Sequence, residues 1–154
     1  MTKMIANLIR KIDDIIPPKA VYAHCDVPCG IYETDTITHA ANTCTKMVEK
    51  VMALQKPGQD DAAAMLNYKN TVIRMVQTKE EFAHRCKEEM LILWTDYFKE
   101  EHLKMFPDLH TKFWKATKLC STVKREISQK SVQDLKTAVA EIAEIFKKAE
   151  ATKK

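Results

Sequence analysis

Residues 59–106 contain neither glycine nor proline, and the whole chain of 154 residues holds two glycines, Gly30 and Gly58. A turn-rich β fold draws on glycine at its hairpins, so a chain this poor in it is confined to long uninterrupted elements. The side chains in that stretch agree with helix. Met65, Val72, Val76, Ala83, Cys86, Met90 and Leu93 recur along one helical stripe, which predicts a helix from about residue 61 to the Asp96-Tyr97-Phe98 region. So long a helix is unusual for a globular domain, and a break near Thr78 is the alternative.

Three more helical patterns surround it. Thr34, Asp35 and Thr36 offer N-cap oxygens ahead of Ile37, Ala41, Cys44, Val48, Val51 and Leu54. Lys56-Pro57-Gly58-Gln59-Asp60 ends that helix, with Asp60 as the cap of the next. Pro107 fits a first-turn position, where its missing N–H costs nothing, and Leu109, Phe113, Ala116, Leu119, Cys120 and Val123 follow. Ser131 and Asp134 form a loose capping box before Leu135, Val139, Ile142 and Phe146. The short connections imply an all-α, up-down-up-down four-helix bundle over about residues 35–148. With 45% hydrophobic residues, a chain of this length can bury one core without disulfides.

Charge and cysteine usage exclude several function classes. The net charge of +4 is spread along helix faces and mixed with acidic residues, which describes a solvated surface and gives no nucleic-acid footprint. No apolar run reaches the roughly 20 residues of a membrane span. Five cysteines make an odd count, and Cys44, Cys86 and Cys120 fall on apolar stripes as small buried hydrophobes. A reducing, cytoplasmic setting suits them. His39, His84, His102 and His110 are scattered without i, i+4 partners, and Trp94, Trp114 and the methionines read as packing.

Residues 1–23 stand apart as a leader. Ile5, Leu8, Ile9, Ile12, Ile15 and Ile16 have helical spacing and are stopped by Pro17-Pro18, while Arg10, Lys11, Asp13 and Asp14 interrupt what an export signal would need as its apolar core. Val21-Tyr22-Ala23 superficially resembles a cleavage site, but from the residues alone export is disfavoured, and an extra helix docked permanently on the domain is the alternative.

The stretch His24-Cys25-Asp26-Val27-Pro28-Cys29-Gly30-Ile31-Tyr32 is unlike the rest. Pro28 cannot continue a helix, and Gly30 permits a backbone turn that a side chain opposes. A hook results, bringing Cys25 and Cys29 together beside the His24 nitrogen. A mixed sulfur and nitrogen set suits nickel or copper. A surface disulfide and a pair of free loop thiols are the alternatives that spacing leaves open.

This stretch resembles the amino-terminal nickel hook of the nickel superoxide dismutase family at His24, Cys25, Asp26, Pro28, Cys29, Gly30 and Tyr32. A second block, Leu93-Trp94-Thr95-Asp96-Tyr97-Phe98-Lys99 followed by Phe106-Pro107-Asp108-Leu109-His110, is similar to that family's central region. The resemblance runs from His24 to about Phe146.

It implies a propeptide of residues 1–23 cut away by a processing protease, leaving a domain of residues 24–154 with the hook at 24–32. The freed amine of His24, the amide nitrogen and sulfur of Cys25 and the sulfur of Cys29 would then surround one nickel ion per subunit, with the His24 ring as axial ligand. Tyr32 would screen the open face, Asp26 and Asp96 would brace the site, Tyr97 would complete its rim, and Lys99 would attract the superoxide anion. Where some members brace the axial imidazole with Glu and Arg, this chain carries Ala40 and Phe82. A homohexamer and cytoplasmic superoxide dismutation are further implications. Two rival readings are a nickel or copper storage module without turnover and, more weakly, a dithiol redox protein using Cys25 and Cys29.

Overall fold

The computed structural model describes residues 30–58 and 60–152. The chain divides into two units, residues 1–31 and 32–154. Of the first unit only Gly30 and Ile31 are described, so the leader and hook ligands His24, Cys25, Asp26 and Cys29 lie outside the described residues. Gly30 has φ +72°, in the left-handed region that glycine alone enters freely.

Every regular element among the described residues is helical: α1 (Asp35–Ala53), α2 (Ala62–Ile92), a π-helical turn (Leu93–Tyr97), α3 (Glu100–Met105), α4 (Leu109–Arg125) and α5 (Gln129–Glu150). None is long and apolar enough to cross a membrane. Helices α1, α2, α4 and α5 form a closed ring of neighbours, α1 on α2, α2 on α4, α4 on α5 and α5 on α1. With the three-residue link from α4 to α5, this is the expected bundle.

Helix α2 runs unbroken through Thr78, and its extension beyond Ile92 widens into the π turn, where Thr95 Oγ1 donates to the Leu91 carbonyl at 2.8 Å. Both ends of that turn, Leu93 and Tyr97, are buried. The short α3 was not anticipated.

The cap of α1 stands where expected, and the other three depart from expectation by one to three residues. Thr34 caps α1 through its carbonyl, which accepts from Thr38 N at 3.1 Å, and its side chain makes no cap bond. Asp61, rather than Asp60, caps α2 by accepting from Ala64 N at 2.9 Å. Pro107 precedes the N-cap Asp108 of α4 instead of standing in its first turn. Ser128 caps α5 by accepting from Ser131 N at 3.2 Å, so Ser131 lies inside the helix and donates to Glu126, while Asp134 pairs with Lys130. The physical reason is common to the three that shift. Ser, Thr and Asp are good caps wherever a helix begins, and which one serves is decided by where packing starts the helix.

The core is built from side chains such as Ile37, Val48, Met90, Leu109, Phe113 and Leu135 on all four helices. Cys44, Cys86 and Cys120 are fully buried in it, as expected. Burial, with repulsion from Cys120 next, pushes the Cys44 thiol up to about 12; contact with Cys120 and burial push Cys86 up as well. These thiols stay protonated and serve as packing. Trp114 does not pack inside: it is 55% exposed on α4, with the Lys118 ammonium 5.7 Å from its ring centre.

One buried residue breaks the apolar pattern. Lys79 is 1% exposed at a core position of α2, and its Nζ donates to the carbonyls of Val123, Lys124 and Glu126 at 2.5, 2.9 and 2.9 Å. It thereby satisfies the carbonyls at the end of α4, where the helix dipole is negative. Burial lowers its pKa below the usual lysine value, and the three acceptors offset that cost. Because α4 ends at Lys79, the earlier turns of α2 extend past it. Met65, Val72 and Val76 are therefore only partly buried, and Leu66 and Ile73 are 69% and 62% exposed.

Candidate functional site

Of the residues singled out for chemistry, four are described: Tyr32, Asp96, Tyr97 and Lys99. Tyr32 packs partly buried against the core at the start of its unit, just ahead of α1. Tyr97 comes from the far end of α2, carried inward by the π turn and 4% exposed. The fold brings these two rings together, 5.4 Å between centroids and 62° between planes, an edge-to-face pair.

Tyr97 is held on several sides. Its ring is stacked on His102 (5.6 Å), meets Phe98 edge-on (4.8 Å) and lies tilted against Phe146 (4.7 Å). Its hydroxyl donates to Glu150 Oε1 at 2.5 Å. Burial first, and the bond to Glu150 second, raise its pKa above the usual tyrosine value. His102 is itself buried and fixed: its Nδ1 accepts from Lys99 N at 2.9 Å, which leaves the proton of the neutral ring on Nε2.

Asp96 and Lys99 are placed differently. Asp96 is exposed on the π turn, its Oδ1 2.8 Å from Thr95 Oγ1, while Lys99 is exposed as the N-cap of α3. Beside Asp96, Trp94 Nε1 donates to His110 Nδ1 at 2.8 Å and its ring stacks on Phe113, so the two blocks singled out in the sequence, around residues 93–99 and 106–110, meet in space. Ala40 is fully buried, and Phe82 lies under the Arg85 guanidinium at 5.0 Å and edge-on to His39 at 5.8 Å. Both positions are apolar in fact as well as in sequence.

Glu150 and His102 went unrecognised in the sequence. Glu150 lies 53 residues from Tyr97, and nothing local marks it as an acceptor. His102 carried a weak signal: three residues after Lys99 and shortly before Pro107, it sits where a capping side chain belongs.

Among the described residues, no group of three or more His, Cys, Asp or Glu is arranged to hold a metal ion. The three described cysteines are core thiols raised in pKa or enclosed by apolar neighbours, unsuited to thiolate ligation. Soft donors remain in His24, Cys25 and Cys29, two thiolates and nitrogen, a set whose chemistry fits nickel.

The family model for nickel-containing superoxide dismutase matches residues 19–150. The chain belongs to the nickel-containing superoxide dismutase family. Superoxide dismutase [Ni] of Streptomyces seoulensis is 33% identical over 130 residues, covering 84% of this chain and 90% of that protein. The enzyme of Streptomyces coelicolor matches to the same extent. Among solved structures, a nickel-containing superoxide dismutase with nickel ligation of the oxidised state has a TM-score of 0.71 and 31% identity, covering 84% of this chain and all of that one. A native nickel superoxide dismutase structure gives 0.69 and 28%, covering 82% and 99%. The family model thus spans the hook sequence and runs to the last residue of α5.

Proposed function

We propose that the chain, once cut before His24, dismutates superoxide to dioxygen and hydrogen peroxide at a nickel ion held by His24, Cys25 and Cys29. Family membership makes nickel the cofactor and superoxide the substrate, and it favours the enzyme over a storage module. The observation that carries the residue-level reading is the convergence of Tyr32 and Tyr97, two rings 65 positions apart in sequence.

Nickel, when bound, supplies the one-electron redox chemistry. The chain supplies the rest. Cleavage turns the His24 nitrogen from a peptide nitrogen, a poor donor, into an amine with an available lone pair. The thiolates of Cys25 and Cys29 are soft anionic donors that stabilise a higher oxidation state. Tyr32 screens the face that superoxide approaches, with Tyr97 behind it as the rim. Asp26 and Asp96 brace the surroundings, and the exposed Lys99 adds positive potential, which raises the on-rate of an anion by about tenfold or more in favourable cases. With Ala40 and Phe82 apolar, neither can hydrogen-bond the His24 imidazole, so its orientation relies on other groups.

The leader of residues 1–23 acts as a propeptide whose removal by a protease switches the site on, in the cytoplasm. The active form is a homohexamer. A nine-residue hook has too little apolar surface to order itself, and the exposed apolar turns of α2 offer neighbours a surface on which to pack.

The test compares three forms: full length, one starting at His24, and one with a single Ala added before His24. Only the form starting at His24 should give a nickel–thiolate absorption spectrum and rapid superoxide loss. In that form Cys25→Ser or Cys29→Ser should abolish both, and Cys44→Ser should leave both largely intact. Equal activity with the added Ala would remove the amine from the ligand set.

A further inference from the structure

We propose that Glu150 is a positioning residue for the two tyrosines: its carboxylate holds the Tyr97 hydroxyl, and Tyr97 in turn sets the pose of Tyr32. The last turn of α5 would then decide how the screening phenol is presented to superoxide. This rests on the reading of Tyr32 as the screening residue.

The geometry supplies each link. The Tyr97 ring touches His102, Phe98 and Phe146, contacts that a phenylalanine would make equally well. Its hydroxyl needs something more, because a phenol taken out of water must find a partner. The partner is Glu150 Oε1 at 2.5 Å, on the final residue of a helix that reaches this end of the bundle from elsewhere in the chain. A bond to an ionised carboxylate is stronger and shorter than one to a neutral acceptor, so it fixes the ring along the axis that packing alone leaves soft. The raised pKa of Tyr97 agrees with a phenol that keeps its proton on the Glu150 side.

The second link is the edge-to-face pair. Aromatic pairs hold a preferred geometry over a narrow range of centroid distances, so a shift of Tyr97 changes where Tyr32 rests at 5.4 Å from it. Tyr32 follows Cys29 by three residues and precedes α1 by as few. In sequence it stands between the hook cysteines and α1, and its pose is the quantity that Glu150 controls.

The experiment uses the form starting at His24, carrying ring-labelled tyrosine, metal-free and nickel-loaded. Three tyrosines remain, and Tyr68, on the outer part of α2, serves as the internal reference. Glu150→Ala should move the carbon resonances of both Tyr97 and Tyr32 while leaving Tyr68 in place. Glu150→Gln keeps an amide oxygen as acceptor and should return both signals toward wild type. Tyr97→Phe, which keeps the ring and drops the hydroxyl, should move Tyr32 as Glu150→Ala does. In the nickel-loaded protein, kcat/KM should fall up to about tenfold in Glu150→Ala, the scale of one charge-assisted hydrogen bond, and recover in Glu150→Gln. A Tyr32 resonance that stays put in both Glu150→Ala and Tyr97→Phe would overturn the proposal, since the bond would then be a tie for the end of α5 and nothing more. A wild-type protein without dismutase activity would instead overturn the metal-site reading, and the metal-free spectra would still decide the coupling.

Discussion

Tyr97 shows how one residue joins stability to the proposed site. Its phenol is buried, hydrogen-bonded to Glu150 and raised in pKa, whereas in the unfolded chain it titrates near its ordinary value of 10.0. Below 10.0 both states hold the proton and the contribution of the pair to stability is complete. Above it the unfolded chain loses the proton first, the folded state binds more protons than the unfolded one, and stability falls as pH rises toward the folded value. Urea unfolding midpoints measured on either side of pH 10.0 should therefore drop more steeply for the wild type than for Tyr97→Phe. Parallel slopes in the two proteins would mean that Tyr97 does not carry the linkage.

At the scale of elements, the junction of α2 with the end of α4 is the unusual feature. Lys79 occupies a position that the apolar stripe assigns to the core, and its ammonium closes three carbonyls of α4 and the residue after it. Lys79→Ala leaves those carbonyls without their donor in a place that water enters poorly, which costs about 2–5 kcal/mol. Thermal or urea unfolding should show a loss of that size, with Lys79→Arg losing less because the charge and several donors remain. A loss under about 0.5 kcal/mol, the range of an ordinary surface substitution, would show that α4 ends by its own capping. The break near Thr78 that the length of α2 left open does not occur: Lys79, the next residue, reaches a partner at the end of α4 and the helix runs on.

For the whole molecule, the exposed apolar turns of α2 and the proposed hexamer belong together. Leu66 and Ile73 protrude where α4 has already ended, and a lone bundle has no use for them there. Light scattering on the form starting at His24 should give a particle of six chains. Ile73→Asp should break it into smaller species while changing the stability of the bundle by no more than about 0.5 kcal/mol, as for an exposed site. A fully active monomer would end the hexamer proposal.

What the sequence by itself determined is local and periodic. The scarcity of glycine, the apolar repeat and the short links set four long helices in a ring, because a helix reports its buried face every three or four residues. The proposed ligand trio and Tyr32 are read from the soft donors, Pro28 and Gly30 that crowd into nine residues. What only the tertiary structure decided is which distant groups meet. Ser128 rather than Ser131 begins α5, since packing selects among residues that all make competent caps. Lys79 finds the end of α4 from 44 to 47 positions away, and Glu150 finds Tyr97 across 53. Such pairings leave no trace in a local pattern: a lysine on an apolar stripe or a glutamate in a last turn has the same neighbours in sequence whether or not the fold supplies its partner.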